Sequence, residues 1–124
     1  MAYDEFLADR VRQALKEKKT SFEEKKMMGG LCFMVDDKMC IGVDIDKNTG
    51  FSRLMARIGD AEYQQALQKN GCSEFNITGR AMKGFVFVST DGIDMQDDLE
   101  YWVQLCLNFN PLAKSSKKKP SSKT

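Results

Sequence analysis

Histidine is absent from all 124 residues. That removes the commonest general base and the commonest zinc ligand together. Asp, Glu and Lys remain for acid–base work, but no pair of them is singled out by spacing. The four cysteines, at 32, 40, 72 and 106, include no C-x-x-C pair and match no zinc knuckle. They read as reduced thiols, and Cys32 and Cys40 as small buried hydrophobes on adjoining strands. No apolar run is long enough to span a bilayer, and Met-Ala-Tyr-Asp-Glu lacks the basic and apolar regions of a signal peptide. The expectation is a cytoplasmic protein with no membrane segment, no cofactor and no metal.

Charge is balanced in total and uneven along the chain. Five of the 19 Lys and Arg lie in 114–124, which holds no acid, so residues 1–113 carry 14 basic and 18 acidic groups, a net of −4. A mildly acidic body argues against a groove that tracks phosphates. The Lys/Ser-rich segment 114–124 is expected to be a disordered tail, and 1–113 a single folded domain. The tail reads as solubilising, with a weak nucleic-acid arm as the alternative.

Within the body, hydrophobic period separates helices from strands. Tyr3, Phe6, Leu7, Val11, Ala14 and Leu15 recur at helical spacing and predict a helix over 3–19. Strands are expected at 22–27, 31–36, 38–45 and 51–58, where side chains alternate with period two. Leu31, Phe33 and Val35 alternate with Cys32 and Met34; Met39, Ile41 and Val43 alternate with Cys40 and Gly42. Asp36-Asp37 is a two-residue turn and 46–50 a polar loop. In 51–58, Leu54, Ala56 and Ile58 face one way and Arg53, Met55 and Arg57 the other.

A second helix opens at Gly59-Asp60 with Asp60 as its cap, buries Tyr63, Ala66 and Leu67, and stops at Asn70-Gly71. Phe75 and Ile77 suggest a short strand. Phe85-Val86-Phe87-Val88 is a clear one, expected near the centre of the sheet. Asp91-Gly92 turns the chain, and Asp94 caps a last helix over 95–109 that ends before Pro111. Its core stripe is Met95, Leu99, Trp102, Val103, Cys106 and Phe109. Strands grouped between helices predict an α+β domain with a mainly antiparallel sheet flanked by helices.

Three motifs have the look of sites. Asp44-Ile-Asp46-Lys-Asn48-Thr-Gly50 hints at a calcium loop, but its glycine falls one position late and Met55 stands where a bidentate Glu is needed. Gly79 to Gly84 has half the spacing of a phosphate loop, yet Phe85 and a strand follow. Asn76-Ile77-Thr78 is a glycosylation sequon with no secretion signal to give it meaning. One basic cluster remains. Lys25, Lys26, Arg57, Arg80 and Lys83 lie in or beside the glycine-rich segments, with Gly29-Gly30 as a tight turn or bulge. Together these seven residues are the candidate site for a small anion, an acidic partner or nucleic acid; lysines guarding a sheet edge are the alternative.

Several stretches, taken in order, resemble a family. They are Met1-Ala-Tyr-Asp4, Glu24-Lys-Lys-Met27, Gly29-Gly-Leu-Cys-Phe-Met34, Thr78-Gly-Arg80, Met82-Lys-Gly-Phe-Val86, and Leu99 with Trp102-Val103. The likeness, over about 1–113, is to the N-terminal domain of TfoX/Sxy proteins. It implies an α-β(3)-α-β(2)-α order like that of secretion chaperones. It implies a non-enzymatic bacterial regulator, TfoX itself controlling competence genes, and it carries no catalytic residues. Full-length regulators have a second, helical domain; a lysine tail follows here instead, so a stand-alone relative is expected. The segment 44–51 is longer than the family pattern and is expected to protrude. Eight methionines suit adaptable contact surfaces, so a protein partner or a homodimer is the expected mode of action.

Overall fold

The computed structural model describes residues 3–27, 29–76 and 82–113. Arg80, Ile77, the Gly79 end of the phosphate-loop-like motif and the tail 114–124 lie outside them. Helix α1 is Glu5–Glu17, followed by β1 Glu23–Met27, β2 Gly30–Val35, β3 Lys38–Ile45 and β4 Ser52–Arg57. Then come α2 Asp60–Ala66, β5 Cys72–Glu74, β6 Phe85–Ser89, α3 Thr90–Ile93 and α4 Gln96–Phe109, with a 3-10 turn at Asn110–Leu112. The class is α+β, as expected. Four strands precede α2, where the family pattern has three.

Six strands form one antiparallel sheet in the order β1-β2-β3-β4-β6-β5. Asp36 and Asp37 both take positive φ, 56° and 63°, so the β2–β3 hairpin closes on a two-residue turn of the I′ kind. β6 lies between β4 and β5, inside the sheet, so Val86, Phe87 and Val88 of its apolar run are paired on both sides.

The helices contribute Leu7, Val11, Leu15, Tyr63, Ile93, Leu99, Trp102 and Val103 to the main core. They meet Leu31, Phe33, Val35, Ile41, Val43, Leu54, Ala56, Ile58, Val86 and Val88 from the sheet. Alternation along β4 is as expected, because Met55 belongs to a second, smaller cluster with Phe75 and Phe87, against which Met39 and Phe85 pack. That cluster contains no helical residue. The sheet therefore has a helix-covered face and an outer face.

Alternation along β3 fails at one place. Phe33 pairs with Ile41 but Met34 pairs with Met39, so Cys40 is an extra residue, a β-bulge. The bulge turns Cys40 toward the helix layer beside Ile41 and leaves Met39 on the outer face.

Local ends differ from expectation in four respects. Gly59, not Asp60, is the N-cap of α2, and no side chain caps it. Met95, not Asp94, is the N-cap of α4, and Met95 is two-thirds exposed, outside the core stripe. Residues 90–93 form a helical turn in place of a simple reversal. Helix α1 ends in a Schellman motif at Lys19 (φ 57°), with Thr20 N–H donating to the Leu15 carbonyl at 3.0 Å and Lys19 N–H to that of Lys16 at 2.9 Å. A non-glycine residue in this conformation gives no sequence signal.

Gly29 and Gly30 have separate roles. Gly29 supplies positive φ (75°) with open space around it. Gly30 is buried in β2, where a Cβ would strike the Val43 carbonyl and come within 2.8 Å of Asp44 Cβ. Gly30→Ala is expected to cost about 3 kcal/mol, from overpacking against backbone. Gly29→Ala should cost only about 1 kcal/mol, from its left-handed backbone. Urea denaturation of both variants measures the difference.

Candidate functional site

The described members of the basic cluster do not meet. Lys25 and Lys26 sit on the edge strand β1, opposite Cys32 and Leu31. Gly30 lies at the end of the sheet where β3 finishes and β4 begins, facing Asp44. Arg57 and Lys83 lie at the other end, since Arg57 pairs with Phe85. Gly30 thus has a packing role, and Arg80 is outside the described residues.

Arg57 is held by its surroundings. Its guanidinium lies 5.2 Å from the Phe85 ring centre and 5.9 Å from that of Phe109, and donates to the Met39 carbonyl at 3.3 Å. Burial lowers its pKa, and the neighbouring Cys40 and Cys32 oppose that shift. Lys83 is exposed on the turn before β6.

A different arginine organises the outer face. Arg53 stands opposite Asp44 across the β3–β4 hairpin. Its Nε donates to Asp44 Oδ1 at 2.8 Å and its Nη2 to Oδ2 at 3.2 Å, a two-pronged pair. Asp46 adds a contact at 3.6 Å. The guanidinium plane rests on Phe87, 3.6 Å from the ring centre. Both Arg53 and Asp44 are 20 % exposed at the side chain, so the pair is partly shielded from water.

A cleft of about 400 Å³ opens beside this pair. Arg53 and Phe87 form its floor; Asp46, Thr49 and Phe51 come from the β3–β4 loop. Ser73, Ser89, Thr90 and Asp91 close the other side. With Asp44 included, three carboxylates stand against one guanidinium. The electrostatics suit a cationic or hydrogen-bonding group, not an anion.

The loop bearing Phe51 is fixed by its own polar residues. Asp46 Oδ1 accepts from Asn48 N–H at 2.9 Å, the Asp46 carbonyl from Gly50 N–H at 2.7 Å, and Thr49 Oγ1 from Phe51 N–H at 3.2 Å. These are the residues of the calcium-like motif. Arg53 and the loop backbone occupy their oxygens, and among the described residues no group of three or more Cys, Asp or Glu is placed to hold a metal. Phe51 is left 66 % exposed.

Sequence reasoning passed over Arg53, Phe51 and Phe87 as a group. Folding the hairpin about its loop sets residue 44 opposite 53, so the ion pair had a signal. Phe87 comes from a strand more than thirty residues on and had none.

The thiols are retired into the core. Cys32, Cys40 and Cys106 are buried and Cys72 is partly so. Burial first, then the neighbouring Cys40, pushes the Cys32 thiol up to about 11; burial alone does the same for Cys72. Cys106 is also raised, by burial and then by its contact with Cys40. Such groups are protonated at neutral pH and poor nucleophiles.

A one-sided antiparallel sheet, with an ion-paired arginine and exposed aromatic at one end, defines a two-layer α+β domain. The chain belongs to the TfoX N-terminal domain family, whose model matches residues 12–110. No curated protein and no solved structure matches the chain. Among the described residues, no helix is long and apolar enough to cross a membrane.

Asp44→Ala should destabilise the domain by about 1.5–3 kcal/mol, because it strands a partly buried guanidinium. Asp46→Ala, at the longer contact, should cost under about 1 kcal/mol. Chemical denaturation at neutral pH orders the two. The thiols give a pH test. The folded pKa values of Cys32, Cys72 and Cys106 lie above the unfolded value of 9.0, so these three stabilise the fold below that pH. Stability should fall as pH rises from about 9 to 11, as the unfolded chain ionises first. In native buffer, a thiol-specific chromogenic reagent should label all four cysteines slowly, and quickly once denaturant is added.

Proposed function

We propose that this chain is a non-enzymatic, TfoX-type regulatory or adaptor domain that acts in the cytoplasm by docking a protein partner at the Phe51 end of the sheet. Membership of the family supports the regulatory part, and competence control is the regulatory role that the family resemblance suggests. The observation that carries the docking surface is Phe51 itself. A large aromatic ring stands two-thirds in water on a loop whose backbone is pinned by its own hydrogen bonds. Holding such a ring rigid and wet brings the fold no burial, whereas a partner would recover it at little ordering cost.

Two further exposed hydrophobics lie at the same end. Ser52 donates to Asp4 Oδ2 at 3.3 Å, which brings the start of α1 and Phe6 beside the loop. Arg10, one turn further along α1, donates to the Asp94 carbonyl at 3.3 Å, which ties the residue before Met95 to the same helix. Phe6 is 73 % and Met95 66 % exposed. The carboxylates of Asp46 and Asp91 beside them favour a partner with apolar anchors and basic neighbours.

The experiment is affinity capture from the native cell extract with wild-type and Phe51→Ala baits, quantified by mass spectrometry. Proteins that dock here should be depleted at least about tenfold with Phe51→Ala, a loss typical of a hot-spot aromatic. The melting temperature of the variant should be unchanged. Equal recovery by both baits, or nothing specific with either, overturns the assignment.

A further inference from the structure

The free edge of the sheet is charged in an unusual order. Strand β1 is Glu23-Glu24-Lys25-Lys26-Met27, and only β2 pairs with it. Residues 23 to 26 are all exposed. Register fixes their faces. Glu23 and Lys25 lie opposite Met34 and Cys32, on the outer face; Glu24 and Lys26 lie opposite Phe33 and Leu31, on the helix side. Each face of the edge therefore carries one acid and one base, two residues apart.

Among the described residues, only one of the four charges is neutralised. Glu24 is gripped by Arg12 of α1, with Nε at 2.6 Å and Nη2 at 3.0 Å. Arg12 also binds Glu5, and these carboxylates raise its pKa, so it stays charged. Among the described residues, Glu23, Lys25 and Lys26 make no ion pair.

We infer that β1 is a self-complementary edge on which two copies of this chain pair antiparallel about a two-fold axis, extending the sheet from six strands to twelve. Symmetry requires the axis to pass through a residue, and setting opposite charges across it leaves two registers. An axis normal to the sheet keeps both helix layers on one side, so only residues of the same face can stand opposite one another. Centring on Glu24 sets Glu23 opposite Lys25 of the second copy, twice, on the outer face. Centring on Lys25 sets Glu24 opposite Lys26 of the second copy, twice, on the helix side.

The two choices differ in the like charges left at the axis. The first brings two Glu24 carboxylates together, each already held by its own Arg12. The second brings two Lys25 ammonium groups together with no such clamp. Like charges directly opposite are destabilising unless compensated, so the Glu24-centred register is favoured. It also runs Phe22 against the stem of Lys26 of the second copy, which covers the ring edge. One pair of short strands buries less than the roughly 1,200 Å² of a standard interface, so the dimer should be concentration-dependent. It should also weaken with salt.

This association uses none of the residues at the Phe51 end, so it stands or falls apart from the partner-docking proposal. The test is sedimentation velocity of the full chain up to millimolar concentration, at low and high salt. Lys25→Glu should weaken the dimer about tenfold or more, since it turns two attractions into two repulsions. Glu23→Lys should do the same. Combining Glu23→Lys with Lys25→Glu in one chain restores opposite charges across the axis and should bring affinity back to near the wild-type value. Lys26→Glu should have little effect. The inference is overturned by a monomer at every concentration, in which case the charges only guard the edge. It is equally overturned by a dimer indifferent to Lys25→Glu, or by one lost to Lys26→Glu instead.

Discussion

A sheet covered by helices on one side only must find another way to close its second side. This constraint shapes the rest of the domain. Every residue of β2 is buried, although the helices reach only Leu31, Phe33 and Val35. Cys32 and Met34 on the outer face are buried as well. The protein meets the requirement with long, adaptable or flat side chains. Met55, Phe75 and Phe87 form a small apolar cluster, and Arg53 lies over Phe87 with its charge compensated at its edge by Asp44. Arginine suits such a place because its plane stacks while its rim stays hydrogen-bonded. Polar and apolar closure thus share one side chain.

The same economy explains the distribution of polar chemistry. Charge on the outer face is used for closure, thiols are held as small hydrophobes, and the acids of the β3–β4 loop tie down backbone. Among what is left exposed are an aromatic ring on the β3–β4 loop and an edge strand with one acid and one base on each face. Both are surface features, and both differ from the basic pocket that the glycine-rich segments suggested. Gly30 and Gly84, the described glycines of those segments, turned out to lie at opposite ends of the sheet. Gly30 is small because β3 passes close to it, and Arg57 faces rings and a carbonyl.

Much of the fold was legible because it is written in period and punctuation. The stripe of α1, the Asp36-Asp37 turn, the two faces of β4 and the apolar run of β6 all follow from side-chain spacing. The failures have local causes. The bulge at Cys40 shifts alternation by one residue, and no glycine or proline marks it. Lys19 closes a helix in a conformation that sequence rules reserve for glycine or asparagine. Asp60 and Asp94 have the chemistry of caps, but backbone geometry at Gly59 and Met95 takes the position. The candidate site was less legible than the fold. The Asp44–Arg53 pair is local to a hairpin, whereas Phe87 joins it only through strand order, which spacing cannot give.

Helix α4 supplies Leu99, Trp102, Val103 and Cys106 to the main core and lies against α1 from the other end of the fold. Its last turn seats the Phe109 ring where any Cβ at residue 59 would be. The polypeptide is made from the amino terminus, so the sheet and the first helix emerge from the ribosome before the piece that shields their apolar side. Until residue 109 is free of the exit tunnel, the sheet has only the cover that the earlier helices give it. The nascent domain therefore shows part of its apolar face to chaperones until α4 has been made.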